Sequence, residues 1–220
     1  MSPIVPAIIP TSFAHLKESI DLVAPFTHEV QVDIVDGVFV PFTSWPYVAG
    51  GHVADMAPLA SEALVEVDLM LMEPETVLAE YVRAGARRVV VHLESVRDFE
   101  KILALKKEFD FKLGFSINND TPLTTLTDVI AYADYVQLMG IAHIGSQGQP
   151  FDERVLTTIA TLRAAYPTLL ISIDGSVNIE TVGRLAHAGA NRCVSGSAIL
   201  KQKNPEEAYN TLTSLFAIAA

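Results

Sequence analysis

A parallel (β/α)8 barrel is the fold this sequence predicts, and three observations carry the prediction. Short β-rich runs alternate with helical stretches eight times along 220 residues. Such alternation implies parallel strands joined by right-handed crossovers, at a length near the small end for the barrel. Half of the residues are hydrophobic, with no Ser/Gly-rich or Pro-rich linker to divide them, so one barrel domain over 1–220 is expected. A doubly wound open sheet is the competitor. It would carry a glycine-rich dinucleotide turn after its first strand, and Ile9-Pro-Thr-Ser12 lacks one.

The first strand, Ile4–Ile9, leads to a helix over Phe13–Val23. The second strand lies near Val30–Val35, with a Pro- and Gly-rich loop from Pro41 to Gly51 and a short helix near Val53–Leu59. Strand three, Ala63–Met70, precedes Glu73-Pro74-Glu75, a helix start with Pro in the first turn and acids at the positive end of the dipole. That helix stops at Ala84-Gly85, where glycine accepts the left-handed cap conformation. Strand four is Arg88–Leu93, with a helix over Val96–Phe109, and strand five is Phe111–Ser116, with a helix near Leu123–Ala131. Strand six is Tyr135–Met139, followed by a loop rich in Gly and Gln and a helix over Asp152–Ala165. Strand seven, Leu169–Asp174, and strand eight, Arg192–Ser195, are followed by helices over Ile179–Ala188 and Pro205–Ala219.

A formal charge of −11 argues against nucleic-acid binding, which needs Lys and Arg to neutralise phosphates. The lone Cys193 excludes an intrachain disulfide framework and reads as a small buried side chain in a reducing compartment. The sequence opens without a basic, apolar leader and holds no apolar run long enough for a bilayer, so a cytoplasmic protein is expected.

In such a barrel the site lies at the C-terminal strand ends. There the inward positions Gln31, Asp33, Asp68 and Asp174 fall at similar depth near the mouth. Three acids converging there would repel unless a metal or a proton held them together. Asp36, before Gly37, reads instead as a turn residue. After the last two strands, Gly175-Ser176 and Gly196-Ser197 offer backbone N–H groups to a phosphate, and Gly145 and Gly148 of the loop after strand six join that set.

These residues carry a resemblance. Val32-Asp-Ile-Val-Asp-Gly-Val-Phe-Val-Pro41, Asp68-Leu-Met70, Val91-His-Leu-Glu94, Asp174-Gly-Ser-Val-Asn178 and Ser195-Gly-Ser-Ala-Ile199 resemble ribulose-phosphate 3-epimerase, in order along nearly the whole chain. The resemblance implies a TIM barrel of the ribulose-phosphate-binding type and an epimerase of a phosphorylated ketose. It implies that Asp33 and Asp174 are the acid and base and share a divalent metal with two further positions. In the family those two positions are His, and here they are Gln31 and Asp68. A family Ser on the first strand corresponds to Ala7, and the loop Gly140–Gln149 departs from the family pattern and is one residue longer.

Met70 and Met139 correspond to the family's apolar lining around the reacting carbon, while ordinary packing is the default for Met. His92 and His143 complete the expected pocket, His92 as structure or wall and His143 as a substrate contact. The substitutions leave three negative charges around the metal position instead of two. An extra unit charge at about 4 Å is worth up to roughly 4 kcal/mol at an effective dielectric near 20, against a developing enediolate. The all-oxygen set Gln31, Asp33, Asp68 and Asp174 favours Mg2+ or Mn2+ over Zn2+, or no metal at all.

The alternative reading is a barrel that binds a sugar phosphate but has lost or changed the epimerase activity. Two other chemistries lose. A Schiff-base aldolase needs a strand-end Lys, and Lys112 lies at the start of strand five, where it is expected to pair with Glu66. A decarboxylase or hexulose-phosphate synthase site needs Asp-x-Lys on strand three, where this chain has Asp68-Leu-Met70. The apolar C-terminus Leu215–Ala220 leads us to expect a homo-oligomer.

Overall fold

Eight parallel strands close into a barrel in sequence order, with β8 pairing back onto β1. The computed structural model describes residues 2–48, 50–145 and 148–220. The strands are β1 Ile4–Ile8, β2 Glu29–Val35, β3 Leu64–Met70, β4 Arg88–His92, β5 Lys112–Ile117, β6 Tyr135–Met139, β7 Ile171–Asp174 and β8 Arg192–Ser195. The helices are α1 Phe13–Val23, α2 Leu78–Arg83, α3 Phe99–Glu108, α4 Leu123–Thr127, α5 Arg154–Ala165, α6 Val182–Ala188, α7 Ser197–Leu200 and α8 Pro205–Ala219.

Side-chain caps fix several helix starts. Ser12 accepts from the His15 N–H at 3.1 Å to open α1, and Asn204 accepts from the Glu207 N–H ahead of Pro205 in α8. Three expected helices are partly or wholly replaced by 3-10 turns. Val53–Leu59 resolves into two 3-10 turns, Val53–Met56 and Leu59–Ser61, on either side of Pro58, whose ring cannot sit inside a longer helix. The stretch after Glu73 opens with a 3-10 turn before α2, and a 3-10 turn at Ile130–Tyr132 replaces the end of α4. The short α7, after β8, has no counterpart in the sequence reading.

Alternation along the strands sorts the two faces. Val30, Val32 and Ile34 of β2, with Val65, Val67 and Leu69 of β3, are fully buried in the core between the barrel and its helices. The opposite parity faces the barrel interior, where polar groups sit beside a small apolar cluster of Val5, Ala7 and Val194. At its N-terminal end the Arg192 guanidinium grips Glu66 through two hydrogen bonds of 2.8 Å, and the Tyr135 hydroxyl donates to the same carboxylate at 2.8 Å. This corrects the expected Lys112–Glu66 pair. Lys112 is the first residue of β5, largely exposed, and it reaches Asp134 at 3.1 Å instead.

At the mouth, the loops after β6 and β7 lock together. The Gly140 N–H donates to the Asp174 carbonyl at 2.6 Å, and a Cβ on Gly140 would lie 2.2 Å from the Gly175 oxygen. Only glycine permits that approach. A Gly140→Ala protein is therefore expected to lose about 1–3 kcal/mol in urea unfolding, with a lower midpoint and an unchanged slope.

Candidate active site

Strand register brings the three predicted carboxylates to one ring. Asp33 of β2 lies opposite Asp68 of β3, and Asp174 of β7 lies opposite Met139 of β6. One oxygen from each carboxylate falls within 4.8 Å of the others, and all three side chains are buried. Gln31 does not share their depth. It pairs with Ala7 and Glu66, two residues lower on β2, and its longer side chain reaches up to the ring.

What it delivers there is its amide nitrogen. Nε2 donates to Asp33 Oδ1 at 3.0 Å and to Asp174 Oδ2 at 3.1 Å. Its Oε1 is buried and makes no hydrogen bond among the described residues. Asp68 has partners of its own. Gln137 Nε2 donates to its Oδ2 at 2.7 Å, and His92 Nε2 stands 3.2 Å from its Oδ1, within ion-pair range though not aligned as a hydrogen bond.

Burial and mutual repulsion set the proton affinities. Burial first, then the Asp174 and Asp68 charges, holds the Asp33 carboxyl well above the usual carboxylate range, against the pull of the Gln31 amide. Burial and the Asp68 charge push Asp174 up to about 7. For His92 burial is the largest influence and works downward, but the Asp68 carboxylate outweighs it and the imidazole is raised.

A cavity of about 270 Å³ opens above this ring. Asp33 and Asp174 line it, with Met70 and Met139 beside them. Gly145, Gly148, Gly175, Ser176, Gly196 and Ser197 all face the same cavity. Gly175 and Ser176 both take positive φ, 97° and 53°, and Ser176 Oγ donates to the Gln149 carbonyl across the loops. Ser146 and Gln147, in the expected phosphate loop, lie outside the described residues.

His92 and His143 are not on the cavity wall. His92 is fully buried between Asp68 and the Phe39 ring, 5.6 Å away, with Nε2 toward the Asp68 carboxylate. His143 is exposed, in a turn after β6. Asp36 is a loop organiser, accepting from the Val38, Phe39 and Met72 N–H groups. Gln137 was not among the predicted residues, although its inward parity between Tyr135 and Met139 on β6 marks it as an interior polar group.

Three buried carboxylates this close, with an unpartnered amide oxygen nearby, form a donor set that could hold a divalent cation. Comparison with known proteins adds the lineage. Residues 3–200 match the model of the ribulose-phosphate 3 epimerase family. The chain belongs to that family. The ribulose-phosphate 3-epimerase of Aquifex aeolicus is 32% identical over 191 residues, covering 85% of this chain and 84% of the relative. That of Bacillus subtilis is 30% identical over 218 residues, covering 96% and 98%. Among solved structures, KGPDC from Streptococcus mutans superposes with a TM-score of 0.74 at 12% identity, covering 100% of this chain and 99% of the other. Orotidine 5'-phosphate decarboxylase from Pyrococcus horikoshii OT3 gives 0.70 at 18% identity, covering 97% and 99%. At such identities these two speak for the barrel alone. Epimerase family membership rests on the sequence matches. Among the described residues, no helix is long and apolar enough to cross a membrane.

Proposed function

We propose that this chain is an epimerase of a phosphorylated pentulose, with Asp33 and Asp174 as its acid and base. The observation that carries the reading is the pair itself: two buried carboxylates on separate strands, both lining the cavity and both with raised proton affinity. Epimerisation beside a ketone takes a proton from one face of a carbon and returns one to the other. The task needs one ionised and one protonated acid at neutral pH, and mutual repulsion favours that state of a close pair. Gln31 orients the two carboxylates through its shared donor group. Met70 and Met139 keep the wall beside them apolar, so a proton held on a carboxylate is not lost to water.

The phosphate is proposed to sit against the backbone of Gly145, Gly148, Gly175, Ser176, Gly196 and Ser197, which line the same cavity as the acids. A divalent cation held by Asp33, Asp68 and Asp174, with Gln31 beside them, would supply positive charge beside the developing enediolate oxygen. The oxygen-only donors favour Mg2+ or Mn2+ over Zn2+. Tight Zn2+ uptake with no thermal response to Mn2+ would contradict that preference.

The competing reading, a binding barrel without turnover, draws on the extra charge of Asp68. Its contacts with His92 and Gln137 weaken that objection, because the charge is met by a raised imidazole and an amide donor. A coupled assay on D-ribulose 5-phosphate, with EDTA and with added Mg2+ or Mn2+, decides between them. Turnover supports the epimerase; sugar-phosphate binding with no turnover under any of these conditions would sink it. We further propose a cytoplasmic homo-oligomer. The buried Cys193 thiol and the outward Ile218 of α8 support it, and sedimentation would test the assembly.

A further inference from the structure

Gln31 can play two opposite chemical parts at the ring, and it is the amide that touches both Asp33 and Asp174. An amide carries a donor face and an acceptor face of nearly the same shape, and a half turn about its last bond exchanges them. The face turned to the carboxylates is the donor, bridging Asp33 Oδ1 and Asp174 Oδ2 from a single nitrogen. Turned the other way, Oε1 would confront two carboxyl oxygens at hydrogen-bond distance, which is repulsive unless a cation or a carboxyl proton lies between them. The side chain is fully buried, so water cannot moderate either arrangement, and Oε1 now has no partner to hold it back.

We infer that Gln31 is a cation-coupled amide: without a metal its Nε2 ties Asp33 to Asp174, and a divalent ion entering the ring displaces that bridge and draws the amide round so that Oε1 faces the ion. The inference deepens the proposed epimerase site and rests on that reading only for the importance of the two acids. Its evidence is the geometry of the bridge and the stranded oxygen. Two consequences follow for this chain. The acid pair is held in register when no cation is bound. Cation binding is also weaker than the three carboxylates alone would give, because each binding event must break two hydrogen bonds to carboxyl oxygens.

The test compares wild type and Gln31→Glu by thermal unfolding in EDTA and in Mg2+ or Mn2+, at one pH. Glu keeps the length, removes the bridging NH2 and supplies a permanent oxygen ligand. The variant is expected to melt lower than wild type in EDTA and to recover with cation, so that its cation-induced rise in Tm exceeds that of wild type by about 5 °C or more. Gln31→Met removes both faces. It should show the same loss in EDTA and a smaller recovery. A residue that merely packs would shift Tm equally with and without cation, so equal cation-induced rises in wild type and Gln31→Glu would overturn the inference.

Should the variants not fold under any condition, the wild-type amides report directly. Gln31 and Gln137 are both fully buried, and their side-chain NH2 protons should exchange slowly in EDTA. Saturating Mg2+ should shift one of these two signals and speed its exchange; if both stay unmoved, the inference fails. None of these readouts uses turnover, so an inactive but cation-coupled protein would count against the epimerase reading alone.

Discussion

Asp174→Asn protein is expected to epimerise roughly 10²–10⁴-fold more slowly than wild type, and to be more stable than wild type in EDTA at pH 7. The first part follows from losing one of two proton carriers. Asn can accept the Gln31 hydrogen bond, so geometry survives while proton transfer does not. The second part follows from linkage. The Asp174 carboxyl is raised from an ordinary value near 4 to about 7, chiefly by burial and then by Asp68, so the folded protein holds its proton where the unfolded chain has released it.

A group raised on folding favours the folded state at low pH and loses that contribution as pH climbs. Stability of the cation-free wild type should therefore fall as pH climbs from about 4 through 7, and the raised Asp33 carboxyl and His92 imidazole push the same way. The loss is on the order of 2–4 kcal/mol, shared with Asp33 because the two titrate as a pair. Asp174→Asn removes much of that slope. Asp33→Asn should behave alike, and the double variant should be no slower than either single one, because acid and base work as a unit. Single-variant rates within threefold of wild type, or a wild-type melting curve indifferent to pH over that window, would remove Asp33 and Asp174 from the roles assigned to them.

The acids were legible in the sequence because a strand reports its own parity. Asp33, Asp68 and Asp174 each lie near the C-terminal end of a β-rich run, and alternation with the flanking aliphatic residues puts them inside. Depth is less legible than parity. Gln31 has the right parity and sits two residues lower than its companions, and Lys112 has the right parity yet starts β5 at the rim, so it leaves for Asp134. Depth depends on strand register and stagger, which pairing across the barrel decides and no single strand contains.

Partnerships across the barrel were least legible of all. That Asp68 meets Gln137 from β6 and His92 from β4 depends on rotamers reaching across the interior. So does the face Gln31 turns to the acids, because an amide in a sequence is donor and acceptor at once. Those contacts bear directly on the chemistry, since they decide whether the third carboxylate is a stray charge or a compensated one.

The opposite end of the barrel offers the largest expected change in stability. Arg192 is 2% exposed and Glu66 fully buried, and the guanidinium finds its two hydrogen bonds on that one carboxylate. Glu66→Ala leaves a positive charge in the barrel interior with the Tyr135 hydroxyl also stranded, and is expected to cost about 3–5 kcal/mol in urea unfolding. The pair itself need not be worth that much, since desolvating both ions consumes most of their attraction. Glu66→Leu combined with Arg192→Met should accordingly be less destabilised than Glu66→Ala alone, despite changing two buried residues. The acid ring begins two residues further along β3, at Asp68, so turnover per folded molecule should change far less than stability. A double variant at least as unstable as the single one would mean that the Glu66–Arg192 pair contributes net stability of its own, beyond answering a buried charge.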